Sequence, residues 1–235
     1  QQNTDEATWE EELTSWTHEK DPYSIDMIKD SKAMHPREML RAIENALPKN
    51  SIVSTDIGNI CSVSNSYLRF DEPRSMLAAM SFGNCGYAFP VAVGAKIASP
   101  NRPVFAYVGD GAWGISLNEL LTCAREKIGV TVILFNNGQW GAEKKNHVDF
   151  YSRRYQGVEL INPSWAAVAK SFGCEGVTVD KVGDIGAAIQ AAVKNQAEGK
   201  TTVIEMMVTK ELGDPFRRDA LSKPVRHLDK YKSFV

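Results

Sequence analysis

Short apolar runs rich in β-branched residues recur along the chain, separated by polar or alanine-rich stretches of helical length. The alternation predicts strands and helices in turn. Met34-His35-Pro36 leads into a helix expected over 36–47, Pro48-Lys49-Asn50 turns the chain, and Ile52-Val53-Ser54 begins a strand. Further strands are expected at 103–108, 130–135, 176–179 and 202–208, with the segments between them helical. Asn162-Pro163 sets a capping side chain before a proline at the first helical position, and Gly173 ends the run from Ser164 to Phe172. Asp184 introduces a helix from Ile185 to Asn195, and the β-branched run from Thr201 to Val208 follows. Repeated βαβ order of this kind predicts an α/β fold, a mostly parallel sheet with helices on both faces.

Three regions separate by composition. Residues 1–35, rich in Glu, Asp, Lys and Trp, read as a linker or docking segment, and 36–209 carry the α/β pattern. Residues 210–235, with seven Lys/Arg against four Asp/Glu, read as a basic tail. A length of 235 residues suits one sizeable α/β core, and a formal net charge of -2 gives a nucleic-acid partner no bulk electrostatic support. No apolar run is long enough to span a bilayer, and the start QQNTDEATWEEEL lacks the basic and apolar regions of a secretory signal. A cytoplasmic protein with no membrane partner is therefore expected. Cys61, Cys85, Cys123 and Cys174 are widely spread without a CxxC pair, which points to reduced thiols rather than zinc or disulfides.

The candidate chemistry sits at strand ends. Gly109-Asp110-Gly111 closes one expected strand, and after 24 residues Asn136-Asn137 closes another. Parallel sheets of this class bind ligands beyond the carboxyl ends of their strands. The two glycines permit close backbone approach to an anion, and Asp110 offers a hard oxygen. Asn137 can add an amide oxygen and Gln139 a main-chain carbonyl, a set suited to a divalent cation carried by a diphosphate. A helix beginning near Ser116 is expected to lend its dipole. Each motif alone is also a common tight turn, and only their joint placement favours a shared site. No GxGxxG is present, and Gly83-Asn84-Cys85-Gly86 does not supply one.

With these residues the chain resembles the thiamine diphosphate-dependent enzymes, whose cofactor motif is GDG followed by about two dozen residues and Asn-Asn. The resemblance implies a thiamine diphosphate-binding fold, with Mg2+ held by Asp110, Asn137 and the Gln139 carbonyl. It places Ser54-Thr55-Asp56-Ile57-Gly58 near the reacting end of the cofactor and Ser81 to Gly86 beside its aminopyrimidine. The implied cofactor-binding residues are Gly58, Gly83, Asn84, Cys85, Gly109, Asp110, Gly111, Ala112, Trp113 and Asn137. Within that family SFGNCGYAFP, GDGAWG, NNGQWGAEKKNHVDFY and ELGDPFRRDALSKPVR are similar to the sulfoacetaldehyde acetyltransferases of sulfonate breakdown. That likeness implies conversion of sulfoacetaldehyde and phosphate to acetyl phosphate and sulfite. An acetolactate synthase or a sulfopyruvate decarboxylase subunit is the related alternative, and a nonenzymatic assembly domain the remoter one.

Two anionic substrates require cationic partners. Lys144-Lys145, Arg153-Arg154 and Arg217-Arg218 are the candidates, with solvated or ion-paired roles as the alternative for each pair. His147 is a candidate auxiliary for proton transfer, and Trp113 and Trp140 stand between pocket wall and core. The activating glutamate of such enzymes belongs to a pyrimidine-binding domain, which the resemblance places outside this chain together with a central domain. Activity is therefore expected from a homo-oligomer of the complete protein, and not from these residues alone.

Overall fold

The computed structural model describes residues 33–210. Helix α1 (Pro36–Ala46) opens this part, with His35 as its cap accepting from the Arg37 amide at 3.3 Å and Pro36 in its first turn. Met39, Leu40 and Ile43 fall on one face and are buried, each by order of magnitude worth about 1.5–3 kcal/mol. Next come β1 (Ile52–Thr55), α2 (Asn59–Ser64), β2 (Met76–Ala78), α3 (Ala88–Ala98) and β3 (Val104–Gly109). They are followed by α4 (Asp110–Ser116), α5 (Glu119–Glu126), β4 (Thr131–Asn136) and α6 (Gly141–Phe150). The described part closes with α7 (Trp165–Ser171), β5 (Glu175–Val179), a 3-10 turn at Val182–Asp184, α8 (Ile185–Ala197) and β6 (Thr202–Met207).

All six strands pair in parallel in the order β2-β1-β3-β4-β6-β5. Side-chain alternation along β3 builds both layers of the core. Val104, Ala106 and Val108 pack with Phe89, Trp113 and Trp165 on one face, while Phe105 and Tyr107 pack with Met39, Ile43, Ile185 and Ile189 on the other. A central parallel strand buried on both faces reads as a continuous apolar run, as this one does.

The five strands expected from the sequence are present to within a residue at their ends, and β2 is added at the sheet edge. Its three residues are partly or fully exposed, so no buried apolar run marks them in the sequence. Two local expectations need correction. The helix expected near Ser116 begins at Asp110, directly from the last residue of β3, so the acidic residue occupies the first helical turn. The cap of α7 is Ser164, whose hydroxyl accepts from the Ala167 amide at 3.2 Å, and Asn162 is turned elsewhere. Gly173 does end that helix, at a φ of 82° that a residue with a Cβ adopts only under strain.

Candidate functional site

The carboxyl ends of β1, β3 and β4 lie side by side, and the loops leaving them border an open cleft. Ile57 and Gly58 border it from β1, Gly109 to Ala112 from β3, and Asn137, Gln139 and Trp140 from β4. Asp110 is its chemical centre. Its carboxylate is 3% exposed and held by donors alone: the Gly111 amide on Oδ1 at 3.1 Å, and on Oδ2 the Gly138 amide at 2.7 Å and Asn162 Nδ2 at 2.6 Å. Burial raises its pKa, and these hydrogen bonds pull the other way. Among the described residues it makes no ion pair. A buried carboxylate without a positive partner fits a site whose positive charge comes from a cation.

The other two residues of the expected ligand set, Asn137 and Gln139, border the same cleft. Asn137 Oδ1 accepts the Gln139 amide at 3.3 Å. An antiparallel bridge joins Gln139 to Glu159, but its two hydrogen bonds run from Trp140 N to Val158 O and from Leu160 N to Gly138 O, both at 2.8 Å. The Gln139 carbonyl is therefore not spent on that bridge. A carboxylate, an amide oxygen and a main-chain carbonyl are the hard ligands that Mg2+ takes together with phosphate oxygens and water. The residues present thus fit the cation and diphosphate expected from the sequence. Gly111 lies against the Trp140 indole, so closely that a Cβ there would sit 2.8 Å from the ring carbons.

Of the residues expected to bind cofactor, Gly58, Cys85, Gly109, Asp110, Gly111, Ala112 and Asn137 line the cleft together. Gly83 and Asn84 are exposed and stand outside its lining. Trp113 is a correction: fully buried, with its ring 5.2 Å from that of Phe89, it belongs to the core, whereas Trp140 borders the cleft. The Cys85 thiol borders the cleft, its pKa raised by burial and by the nearby Asp56 and Glu143 charges.

The basic pairs are also resolved in part. Lys144 is buried and bonded to Glu159 at 2.8 Å and to Gln139 Oε1 at 3.2 Å, with its ammonium 5.3 Å from the centre of the Tyr155 ring. Lys145 pairs with Asp149 at 2.6 Å. Neither lysine lines the cleft, and both are ion-paired, as the alternative reading of these pairs expects. Arg153 and Arg154 follow α6 in a turn outside the lining, and His147 lies in the last turn of α6 with its ring 5.8 Å from that of Tyr151. Arg217 and Arg218 fall outside the described residues, as do the docking segment up to residue 32 and the tail after residue 210.

Three polar residues outside the expected cofactor and metal ligands organise this site. Asp56, 1% exposed, accepts the amides of Ile57 at 3.0 Å, Gly86 at 3.0 Å and Ala88 at 3.2 Å. It thereby ties the loop after β1 to the start of α3. Asn162 reaches Asp110, and Glu205 on β6 reaches Asn136 at 2.8 Å. In the sequence Asp56 stands out only as part of the Ser54 to Gly58 segment and Asn162 only as a helix cap, and nothing marks Glu205.

A six-stranded parallel sheet with a cleft at its strand ends, whose lining suits a diphosphate, has the architecture of a cofactor-binding domain of the doubly wound class. Residues 56–206 match the family described as "Thiamine pyrophosphate enzyme, C-terminal TPP binding domain". The chain belongs to the thiamine pyrophosphate enzymes and carries their thiamine diphosphate-binding domain. It is 59% identical, over 99% of its length, to the sulfoacetaldehyde acetyltransferase of Alcaligenes xylosoxydans xylosoxydans, and spans 40% of that protein. Identity is 32% to the acetolactate synthase large subunit of Parasynechococcus marenigrum (strain WH8102), over 74% of this chain and 28% of the relative. Acetolactate synthase is thus the more distant relation. Among solved structures, the Rhodococcus jostii RHA1 thiamine diphosphate-dependent 4-hydroxybenzoylformate decarboxylase superposes with a TM-score of 0.70 at 24% identity, over 76% of this chain and 33% of that one. That likeness concerns the fold. Among the described residues no helix is long and apolar enough to cross a membrane.

Proposed function

We propose that this chain is the cofactor-diphosphate half of a sulfoacetaldehyde acetyltransferase, which converts sulfoacetaldehyde and phosphate to acetyl phosphate and sulfite. The observation that carries the cofactor reading is the buried Asp110 carboxylate, ringed by amide donors and, among the described residues, without a cationic partner. The choice of substrate follows from the acetyltransferase relative. Thiamine diphosphate, when bound, supplies the carbon nucleophile and the electron sink. The residues of this chain hold and orient it: Asp110, Asn137 and the Gln139 carbonyl would take Mg2+, and the Gly109 to Ala112 backbone would take the diphosphate. Trp140 walls the cleft, and Lys144 steadies the cation loop through Gln139.

Sulfonate and phosphate recognition is assigned to arginines, with Arg153 and Arg154 in the turn after α6 and Arg217 and Arg218 beyond the described residues. His147 remains an auxiliary candidate. Residues 36–209 act as the binding domain, with linker and tail on either side. A pyrimidine-binding domain with its activating glutamate and a central domain complete a homo-oligomer. Four free thiols, three of them buried, support a cytoplasmic setting.

The test uses the complete natural protein that contains this chain. With thiamine diphosphate, Mg2+, sulfoacetaldehyde and phosphate it is expected to release sulfite and form acetyl phosphate, and Asp110→Ala to abolish both. Acetolactate from pyruvate, or sulfoacetaldehyde from sulfopyruvate, without sulfite release would replace this reading with the corresponding relative.

A further inference from the structure

Glu205 is 1% exposed on β6, and a carboxylate accepts hydrogen bonds without donating any. Its Oε2 receives the Ala166 amide at 3.1 Å, Thr178 Oγ1 at 3.0 Å and Ser164 Oγ at 3.4 Å. Its Oε1 receives Asn136 Nδ2 at 2.8 Å. The Asn136 amide therefore has one permitted orientation, NH2 toward Glu205 and oxygen away from it. That oxygen accepts from Asn162 Nδ2 at 2.9 Å, and the same NH2 group donates its other hydrogen to Asp110 Oδ2 at 2.6 Å. Two amides thus join a carboxylate on β6 to the carboxylate at the start of α4.

We infer that Glu205 is a positioning residue for the cation and diphosphate site: by fixing the orientation of the Asn136 and Asn162 amides it anchors Asp110 through Oδ2 and leaves Oδ1 for the ligand. The inference rests on the role proposed above for Asp110. Among the described residues Oδ1 carries only the Gly111 amide, so the division of labour between the two oxygens is already present. Glu205→Gln separates orientation from packing, because the new side chain has the same shape. The Ala166 amide can only donate, so the glutamine oxygen must stay with it and the capping contact survives. The glutamine NH2 then faces Asn136 and turns that amide over, which brings two NH2 groups together at Asn162. Asn162 turns in response and sets an oxygen against Asp110. Adding Asn136→Asp restores an acceptor to both neighbours, so Asn162 can donate to Asp110 again.

The experiment measures the Mg2+ concentration that half-saturates thiamine diphosphate binding to the complete protein by titration calorimetry, with melting temperature recorded in parallel. E205Q is expected to raise it about 10- to 100-fold, the range seen when residues supporting metal ligands are changed. E205Q with N136D is expected to recover most of that loss, a recovery that a purely structural role for Glu205 would not produce. An E205Q protein that binds like the wild type overturns the inference, as does a folded double variant no better than E205Q. If the Glu205 variants do not fold, Asn162→Ala decides, since it removes the last donor while leaving the Ser164 cap: weakened binding supports the relay and unchanged binding overturns it. Failure of the wild type to bind cofactor with Mg2+ would instead remove the proposed function itself.

Discussion

Replacing Gly111 by alanine tests the closest approach in the site. A Cβ at this position would stand 2.8 Å from Trp140 Cδ2 and Cε3 and 2.9 Å from Cε2. Unstrained carbon contacts lie near 3.5–4.0 Å, so the overlap is roughly 0.7–1.2 Å against a rigid ring. The Trp140 backbone has little freedom to retreat, since its amide is bonded to Val158 O at 2.8 Å beside a second bond of 2.8 Å from Leu160 N to Gly138 O. Gly111 is equally fixed, in the first turn of α4 directly after β3. The indole must therefore rotate, and because it borders the cleft it rotates at the expense of the ligand's space. Overpacking of this kind costs about 1–3 kcal/mol. Thermal unfolding of the complete protein should show a melting temperature lowered by several degrees, and calorimetry a weaker affinity for thiamine diphosphate with Mg2+. Combining G111A with Trp140→Leu, which removes the ring, should return most of the stability without restoring the affinity. A G111A protein with wild-type melting temperature and affinity would refute the steric argument.

Three further outcomes are expected. Gly176→Ala would place a Cβ 2.1 Å from the Ala166 carbonyl oxygen, so α7 must lift from β5, and denaturant unfolding should register a loss at the upper end of about 1–3 kcal/mol. Lys144→Met removes the ammonium bonded to Glu159 and Gln139; with Glu159 still paired to Lys210 at 2.8 Å the stability loss should stay near 1–2 kcal/mol, while the Mg2+ needed for cofactor binding rises. Burial raises the Asp56 pKa in spite of its backbone donors, so its ionisation costs stability as pH rises through the folded value. Urea unfolding should therefore show the wild type gaining on Asp56→Asn as pH falls from 7 toward the unfolded carboxylate value of about 3.9, and a difference that is flat or grows with pH would contradict this.

The strands and the two motifs were legible because both are local. A run such as Val104 to Val108 is buried on both faces wherever it lies in a parallel sheet, and Asp110 and Asn137 follow such runs directly. Trp113 and Trp140 show where that reading stops. Each stands beside a motif half, and what separates them is the start of α4 at Asp110, which sets the helical phase and turns Trp113 into the core. The paired lysines carried their charge openly in the sequence, but not their partners: Glu159 lies 15 residues from Lys144. Asn162 meets Asp110 across 52 positions, and Glu205 meets Asn136 across 69. Sequence by itself determined the order of the five expected strands, the thiamine diphosphate motif and which groups can donate or accept. Only the folded sheet decided which of them meet, because a buried polar group must find its partner among whatever side chains chain closure brings within about 3 Å.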